Sequence, residues 1–209
     1  MTATLNRSAS SKTFVSNDVS SVNGIDVSKL RAYISAITAD PREGLTTWTI
    51  RSSWVGGTRA DHRVEGFSIG GRFVEREFTI STDEPHELCG GNRFANPQEY
   101  LLAAMNACMM VGYTAVAALM GIRLTRLEVE TTGDIDLRGF LGISASVPAG
   151  YPNLKQVVTI AGDAPPERFA ELHDIVHATS PNYFNITRGI PTDSRLIISG
   201  THGDAQSAA

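Results

Sequence analysis

The side chains of this sequence best suited to covalent chemistry are its two cysteines, because a thiolate is a strong nucleophile. Cys108 lies inside a long apolar stretch, and Cys89 lies in the segment before it. A free cysteine is also among the most buried residue types and often behaves as a small hydrophobic residue. A nearby arginine would instead make the cysteine reactive, because its positive charge favours the thiolate. No spacing rule selects among the three candidates, which are Arg59, Arg63 and Arg93.

Metal binding is a second possible chemistry, because the sequence has five histidines. His173 and His177 have the i, i+4 spacing of two ligands on one helix face. The motif reads HDIVH, however, with Asp174 where the HExxH zinc-protease motif requires glutamate. We therefore favour a solvent-exposed helix face and predict no metal. The Gly-Gly pairs lack the context of a nucleotide-binding loop, so we expect no bound cofactor.

The element that must position Cys108 is the apolar stretch from Asn96 to Gly121. Asn96 is a favourable N-cap, and Pro97 suits the first helical position. Glu99 stands where the acid of a capping box reaches back to the cap, and Gly121 is typical of a left-handed C-cap. Apolar residues occur on every face of the predicted helix, which indicates burial on all sides.

The same stretch is long enough to span a membrane. Four residues with polar groups or no side chain interrupt its middle: Asn106, Gly112, Tyr113 and Thr114. No second such stretch exists, and strand-like sequence flanks it on both sides. A core helix surrounded by sheet is therefore the favoured interpretation, and we predict no membrane association.

Composition narrows the functional classes further. The chain has 209 residues, 42% hydrophobic and 19% charged, which is typical of a globular protein. Its net charge of −4 and its lack of basic clusters exclude an obvious nucleic-acid surface. Two cysteines do not form a disulfide framework, and the polar N-terminus lacks the apolar core of a signal peptide. These features favour a cytoplasmic location with reduced thiols.

The remaining elements alternate between helical and strand patterns. Residues 1–22 are polar and are predicted to form a disordered tail, and an amphipathic helix is expected over Val27–Ala39. Before the central helix, three strand-like segments favour an antiparallel β-meander: TTWTIRSSWV, about His62–Ile69, and RFVEREFTIS.

After the central helix, RLTRLEVETTGDIDL fits two strands or one long bent strand. LKQVVTIAG predicts a further strand, and PERFAELHDIVHATS predicts a second helix that ends at Ser180-Pro181. SRLIISG predicts a last strand. The order of elements is typical of an α+β fold with antiparallel sheets packed on helices.

The segment DEPHELCGG together with NPQEYLLAAMNACMMVGYTAVAALMG resembles the central signature of the OsmC/Ohr family, the osmotically inducible and organic hydroperoxide resistance proteins. The resemblance extends over about residues 46–200, and residues 23–45 resemble a helical extension of some OsmC-like members. Residues 201–209 are expected to form a tail. The resemblance implies an OsmC-like fold with antiparallel β-sheets wrapped around a long central helix. It also implies an intertwined homodimer with active sites at the subunit interface.

The resemblance further implies a thiol-dependent peroxidase that reduces organic hydroperoxides in an oxidative stress response. Cys108 matches the peroxidatic cysteine. The arginine of the family best matches Arg59, with Arg63 as the alternative. Peroxidases of the family place a glutamate one residue after the proline, where this chain has Gln98, and Glu99 follows it. Either residue could position the arginine.

This chain departs from the family at the second cysteine. In the peroxidases of the family, the second cysteine belongs to a Cys-Pro pair after the second helix. This chain has Ser180-Pro181 at that place. A sulfenic acid formed on Cys108 would then lack its usual thiol partner. Three outcomes are open: Cys89 resolves it, an external small thiol or a partner dithiol reduces it, or the protein does not turn over peroxide. In the last case the fold would serve as a stress-related or small-ligand-binding module.

Overall fold

The computed structural model describes residues 21–198 of the chain. The expected tails therefore lie outside the described residues, except that residues 21–22 form a strand. That strand, β1 (Ser21–Val22), pairs with β2 (Ile25–Asp26) and leads into helix α1 (Val27–Ala39). Asp26 caps α1, because its side chain accepts a hydrogen bond from the backbone nitrogen of Lys29 at 2.9 Å. The bounds of α1 agree with those predicted.

The segment around α1 is attached to the rest of the chain at both ends. The side chain of Asn23 donates to the backbone oxygen of Ile122 and accepts from the backbone nitrogen of Leu124, both at 2.9 Å. After α1, Glu43 lies in a short 3₁₀ turn and forms an exposed ion pair with Arg72 at 3.1 Å. The N-terminal extension thus contacts both the end of the central helix and the sheet described next.

The predicted β-meander is confirmed as an antiparallel sheet with β5 in its centre. One edge of β5 pairs with β3 and β4, and its other edge pairs with β6. Strand β5 begins three residues earlier than expected. The strands are β3 (Thr46–Trp48), β4 (Arg51–Gly56), β5 (Arg59–Ile69) and β6 (Arg72–Thr82).

Apolar side chains of this sheet remain open to solvent in the single chain. Trp48 is 62% exposed and Trp54 is 77% exposed. Phe73 and Phe78 on β6 are also exposed. A monomeric protein rarely leaves so many large apolar groups uncovered on one element.

The central helix, α2 (Pro97–Leu119), starts and ends as the sequence predicts. Asn96 accepts from the backbone nitrogen of Glu99 at 2.8 Å, and the Glu99 carboxylate accepts from the backbone nitrogen of Asn96 at 2.7 Å, which completes the capping box. At the other end Gly121 has a φ of 75°, and the backbone nitrogen of Ile122 donates to the oxygen of Ala117 at 2.8 Å. This is a Schellman motif.

The expectation that α2 is buried on all sides is wrong for the single chain. Met105, Met109, Tyr113 and Ala117 are buried in the core, whereas Val111 on another face is 67% exposed. The physical reason is that one chain supplies packing partners for one side of the helix. By length and apolarity α2 could cross a membrane, but its buried face belongs to a protein core, so we interpret it as a core helix.

The core is completed by two strands and two helices that pack around α2. Strand β7 (Leu124–Thr132) pairs antiparallel with β8 (Lys155–Gly162), and a short helix, α3 (Leu137–Phe140), lies between them. Helix α4 (Pro166–Thr179) matches the predicted second helix. The predicted α+β class, with antiparallel sheets and a long helix, is therefore confirmed.

Two features after β8 differ from the prediction. Ser180-Pro181 ends α4 as expected, but it also starts helix α5 (Pro181–Arg188), because serine is a good N-cap and proline suits the first helical position. The last strand, expected over 194–200, is absent from its described part, residues 194–198. No neighbouring strand pairs with the backbone of these residues, and an unpaired segment does not form a sheet.

Candidate active site

The thiol of Cys108 lies beside the hydroxyl of Ser180. Cys108 is partly buried on α2, and the Oγ of Ser180 donates to its Sγ at 3.5 Å. Ser180 is only 4% exposed. It stands at the junction of α4 and α5, where its Oγ also accepts from the backbone nitrogen of Tyr183 at 3.5 Å. Ser180, which we expected at the position of a second cysteine, thus contacts Cys108.

A cleft of about 660 Å³ lies near this pair, although neither Cys108 nor Ser180 is among its lining residues. Its walls include Leu101 and Met105 from α2, Tyr183 and Ile186 from α5, and the loop before β8. Met105, the lining residue of α2 nearest to Cys108 in sequence, precedes it by about one helical turn. An apolar cleft of this size can hold the hydrocarbon part of a small molecule.

Gln98, one of the two candidates for the family glutamate, lines this cleft. Gln156 on β8 lines it as well, and its Oε1 is buried without a hydrogen-bond partner. The amide nitrogen of Gln156 is engaged, since it donates to Thr131 Oγ1 at 3.2 Å. The unpaired Oε1 of Gln156 is closed to solvent, so it is not part of the cleft surface.

Asn106, which interrupts the apolar helix next to Cys108, has a structural role. Its side-chain oxygen accepts from Thr131 Oγ1 at 2.6 Å, and its nitrogen donates to the backbone oxygen of Val129 at 3.3 Å. These bonds attach α2 to β7. The polar residue near the thiol is thus satisfied by the sheet and does not act on Cys108 directly.

The two histidines of the HDIVH motif are partly buried, so the prediction of a solvent-exposed face is wrong. Nδ1 of His173 lies 2.6 Å from the hydroxyl of Tyr113, a buried residue of α2. The ring of His177 packs edge-on against His173, with 4.0 Å between centroids, and against Tyr183 at 4.6 Å. The histidines face the core because α4 packs on α2 through this side.

Burial shifts the pKa values of Tyr113 and His177 so that their neutral forms are favoured. It raises the pKa of Tyr113 to about 12, so the phenol stays protonated. It also lowers the pKa of His177, and the neighbouring His173 adds to that effect. The described residues 21–198 contain no group of three or more side chains arranged to hold a metal ion.

Arg59, the first residue of β5, has an unusual environment. Its guanidinium lies over the ring of Phe94, with 5.5 Å from Cζ to the centroid. Its Nε is buried and has no hydrogen-bond partner. A buried donor without an acceptor is costly, so a group that accepts from it would be favoured here. Arg63, the alternative arginine, lies in the middle of β5 and is exposed.

A buried carboxylate holds the segment next to Arg59. Asp83 accepts from the hydroxyl of Thr58 at 2.7 Å and from the backbone nitrogens of Glu84, Gly91 and Arg93. These hydrogen bonds, that from Thr58 first, lower the pKa of Asp83 to about 2. Asp83 thus fixes the turn before Arg59 to the loop that carries Cys89.

Cys89 is exposed and free, in a compact loop before α2. The residue has a φ of 63° and follows a 3₁₀ turn (His86–Leu88). The loop is closed by hydrogen bonds from the backbone nitrogen of Gly90 to Pro85 at 3.0 Å and of Asn92 to Glu84 at 2.9 Å. Cys108 is also free, so the single chain contains no Cys89–Cys108 disulfide.

The single chain thus unites some of the predicted site residues and separates others. It places Cys108 beside Ser180, and the cleft containing Gln98 reaches Met105, about one helical turn before Cys108. Glu99 is occupied by the capping box, and within residues 21–198 no hydrogen bond joins Arg59 to Cys108. The roles of Arg59, Glu99, Gln98 and Cys89 stay predictions.

Sequence reasoning did not identify two contributors to this region. Asp83 gave no recognisable signal, because its partners come from two loops that only the fold brings together. The pairing of Tyr113 with His173 joins residues of two helices, so periodicity alone could not reveal it. Ser180 was singled out by the family pattern, but its contact with Cys108 required the packing of α4 on α2.

Comparison with known proteins decides the family. Residues 90–195, half of the chain, match the family model of the OsmC-like proteins. The chain belongs to the OsmC-like family. The matched region contains both Cys108 and Ser180, whereas Arg59 and the β3–β6 sheet lie before it.

Solved structures of OsmC-like proteins share the fold at low sequence identity. An OsmC-like protein from Mycoplasma pneumoniae is 16% identical with a TM-score of 0.51, over 68% of this chain and 89% of the other. A protein from Psychrobacter arcticus 273-4, assigned to osmotic stress induction and detoxification response, is 16% identical with a TM-score of 0.50, over 66% and 86%.

An organic hydroperoxide resistance protein from Elizabethkingia anophelis is 20% identical with a TM-score of 0.42, over 68% of this chain and 90% of the other. A search of functionally curated protein sequences finds no significant match.

Proposed function

We propose that this OsmC-like protein is a thiol peroxidase that reduces organic hydroperoxides through Cys108. The observation that carries the proposal is the partly buried Cys108 thiol, which is hydrogen-bonded to Ser180 and lies about one helical turn from an apolar cleft. The cleft would hold the alkyl or aryl group of the hydroperoxide. Its apolar walls favour such a substrate over hydrogen peroxide, which offers no hydrocarbon surface to bury.

In this reaction the Cys108 thiolate attacks the distal oxygen of the hydroperoxide. The O–O bond breaks, and the proximal oxygen leaves with a proton as the alcohol. Cys108 becomes a sulfenic acid. The hydrogen bond from Ser180 supports the negative charge on sulfur before attack, because charge-assisted hydrogen bonds are stronger than neutral ones.

The proposal includes a homodimer that completes the site. Both the β3–β6 sheet and one face of α2 leave large apolar side chains exposed in the single chain, notably Trp54 and Val111. A second copy would cover these surfaces, and its Arg59 would reach the Cys108 side of the first. The unpaired Nε of Arg59 supports such an arrangement. The composition favours a cytoplasmic protein without nucleic-acid or membrane partners.

The test is to mix reduced protein with cumene hydroperoxide and to follow loss of peroxide and of free thiol. Wild type should consume peroxide, Cys108→Ser should not, and Cys89→Ser should behave as wild type. Absence of any peroxide-dependent oxidation of Cys108 would contradict the proposal.

A second candidate is an OsmC-fold protein that binds a small apolar ligand without turnover. The cleft of about 660 Å³ and the serine at position 180 favour it. In that case cumyl alcohol should bind to the cleft and Cys108 should stay reduced.

A further inference from the structure

We propose that His177 is a positioning residue for the reacting thiol: through Tyr183, it holds the hydroxyl of Ser180 at hydrogen-bonding distance from Cys108. This inference rests on the proposed function, in which Cys108 attacks the hydroperoxide. It assigns a role to a histidine that does not take part in the reaction itself, and that role depends on a neutral imidazole.

A single residue, Ser180, connects α4 with α5. Its backbone nitrogen donates to the oxygen of Val176 at 2.9 Å, and its backbone oxygen accepts from the nitrogen of Phe184 at 3.0 Å. No loop absorbs a change in the angle between the two helices, so such a change moves the Ser180 side chain. Contacts between α4 and α5 therefore help to set the distance of 3.5 Å between its Oγ and Sγ of Cys108.

His177 supplies a contact of this kind. It lies in the last turn of α4, and its ring packs edge-on against the ring of Tyr183 on α5, with 4.6 Å between centroids. The backbone nitrogen of Tyr183 donates to Oγ of Ser180 at 3.5 Å, and the same Oγ donates to Cys108. Tyr183 thus connects the imidazole of His177 to the hydroxyl that contacts the thiol.

The other side of His177 faces the core. Its ring packs against His173, with 4.0 Å between centroids, and Nδ1 of His173 lies 2.6 Å from the hydroxyl of Tyr113. Tyr113 is a buried residue of α2. A continuous row of rings therefore runs from the helix that carries the thiol, through α4, to Tyr183 on α5. Displacement of the His177 ring would break this row at the junction of α4 and α5.

The row of rings favours a neutral His177. The titratable groups that face it are His173 and Asp174 on α4, Tyr183 on α5 and, behind His173, Tyr113 on α2. Burial lowers the pKa of His177 and the charge of His173 adds to this effect, whereas the His173 backbone and Asp174 oppose it. Below the ordinary value of 6.5, the ring gains a proton more easily in water than in its buried place, so acid favours states in which it has left Tyr183.

The experiment measures the rate at which Cys108 reacts with dithiodipyridine, a thiol reagent that stays active in acid. Peptide mass analysis separates this reaction from that of Cys89. At pH 7 His177→Ala should slow the reaction about fivefold, the factor expected from loss of one hydrogen bond to the thiolate. His177→Phe keeps a ring against Tyr183 and should recover most of the lost rate.

Ser180→Ala distinguishes positioning from a general loosening of the fold. In that background His177→Ala should have no further effect on Cys108, because the hydroxyl through which it acts is already absent. Ala178→Ser, on the exposed side of the same turn of α4, is the control for the single substitutions. Far-UV circular dichroism verifies that each variant is folded.

The dependence on pH gives a second measurement, which stands even if His177→Ala fails to fold. The rate for wild type divided by the rate for His177→Phe should fall as the pH drops from 7 to about 5, because phenylalanine cannot take up a proton. The intrinsic effect of pH on the thiol and on the reagent cancels in this ratio.

Four outcomes would overturn the inference: a wild-type rate for folded His177→Ala, no recovery in His177→Phe, an equal effect of His177→Ala with and without the Ser180 hydroxyl, or a constant ratio of wild type to His177→Phe across this pH range. Dithiodipyridine reacts with the thiol without any peroxide, so these results do not depend on the peroxidase function. A wild type that reacts with dithiodipyridine but is not oxidised at Cys108 by cumene hydroperoxide would contradict that function alone.

Discussion

A Cβ atom on Gly112 would lie 3.2 Å from Cγ1 of Val176, so α2 and α4 approach each other closely at this point. Gly112 follows Cys108 by one turn of α2, and Val176 precedes Ser180 by one turn of α4. The contact between glycine and valine therefore helps to set the distance between the thiol and the serine hydroxyl.

Gly112→Ala should slow the reaction of Cys108 with cumene hydroperoxide several-fold. The new methyl group would push Val176 outward by a few tenths of an ångström and lengthen the hydrogen bond between Ser180 and Cys108. Alanine gains about 1 kcal/mol over glycine in helix propensity, which offsets the crowding, so stability should change little. Stopped-flow oxidation and urea unfolding measure the two effects.

Tyr113→Phe should lower the free energy of unfolding by about 1–3 kcal/mol, the usual cost of leaving a buried polar group unpaired. The substitution removes the hydroxyl that lies 2.6 Å from Nδ1 of His173. Urea denaturation at pH 7 measures the loss. In a His173→Phe background the same substitution should cost less, because its partner is already absent. Equal costs in both backgrounds would show that the two side chains are not coupled.

Asp83 should make the protein sensitive to acid. Its pKa is about 2 in the folded protein, against an ordinary value of 3.8, so the folded state favours the ionised carboxylate. The stability that it contributes is fully present above about pH 4 and is lost as the pH falls towards 2.

Asp83→Asn tests this prediction. Its amide would present a donor to backbone nitrogens that also donate. The variant should therefore be less stable at pH 7, with a flatter dependence on pH between 4 and 2. Thermal unfolding across pH provides the measurement, and parallel curves for the two proteins would contradict the assignment.

Glu99→Ala should lower the free energy of unfolding by about 1 kcal/mol, because it removes half of the capping box of α2. Glu99→Gln is the matched control, since glutamine can also bond the backbone nitrogen of Asn96. If Glu99 also positions Arg59 in a dimer, Glu99→Gln should be stable but slow in peroxide reduction. Full activity of Glu99→Gln would show that the Glu99 carboxylate has no role in peroxide reduction.

Val111→Glu should shift the protein from a dimer towards a monomer of 22.4 kDa. The residue is exposed on α2 in the single chain, and a charge there would oppose its burial by a second copy. Light scattering gives the mass. Ala170→Glu, on the exposed side of α4, is the control and should leave the mass unchanged. A monomeric wild type would contradict the proposed homodimer.

Local signals predicted the helices well. The caps at Asp26 and Asn96 fixed the starts of α1 and α2, and Gly121 marked the end of α2. These signals depend on hydrogen bonds between residues that are close in the chain, so they can be recognised from the sequence. The β-meander was predicted for the same reason, through its alternating side chains and Gly-Gly turn.

Features that depend on distant segments were not predictable. One local signal was also missed, since Ser180-Pro181 was recognised only as a helix end, whereas its capping serine and its proline begin α5. The burial of His173 depends on Tyr113 of another helix, and the missing strand at 194–198 depends on a neighbouring backbone. The contact of Ser180 with Cys108, the centre of the candidate site, required two helices to pack at a glycine.

The β3–β6 sheet, with its exposed Trp48, Trp54 and Phe73, has consequences for how the protein is made. A sheet that covers so little of its own apolar surface gains little from folding in isolation. Its folding would then be completed by association, and the thermal midpoint would rise with protein concentration. Newly synthesised chains at low abundance would wait longest for a partner and expose this sheet longest, and so would be the chains most open to proteolysis.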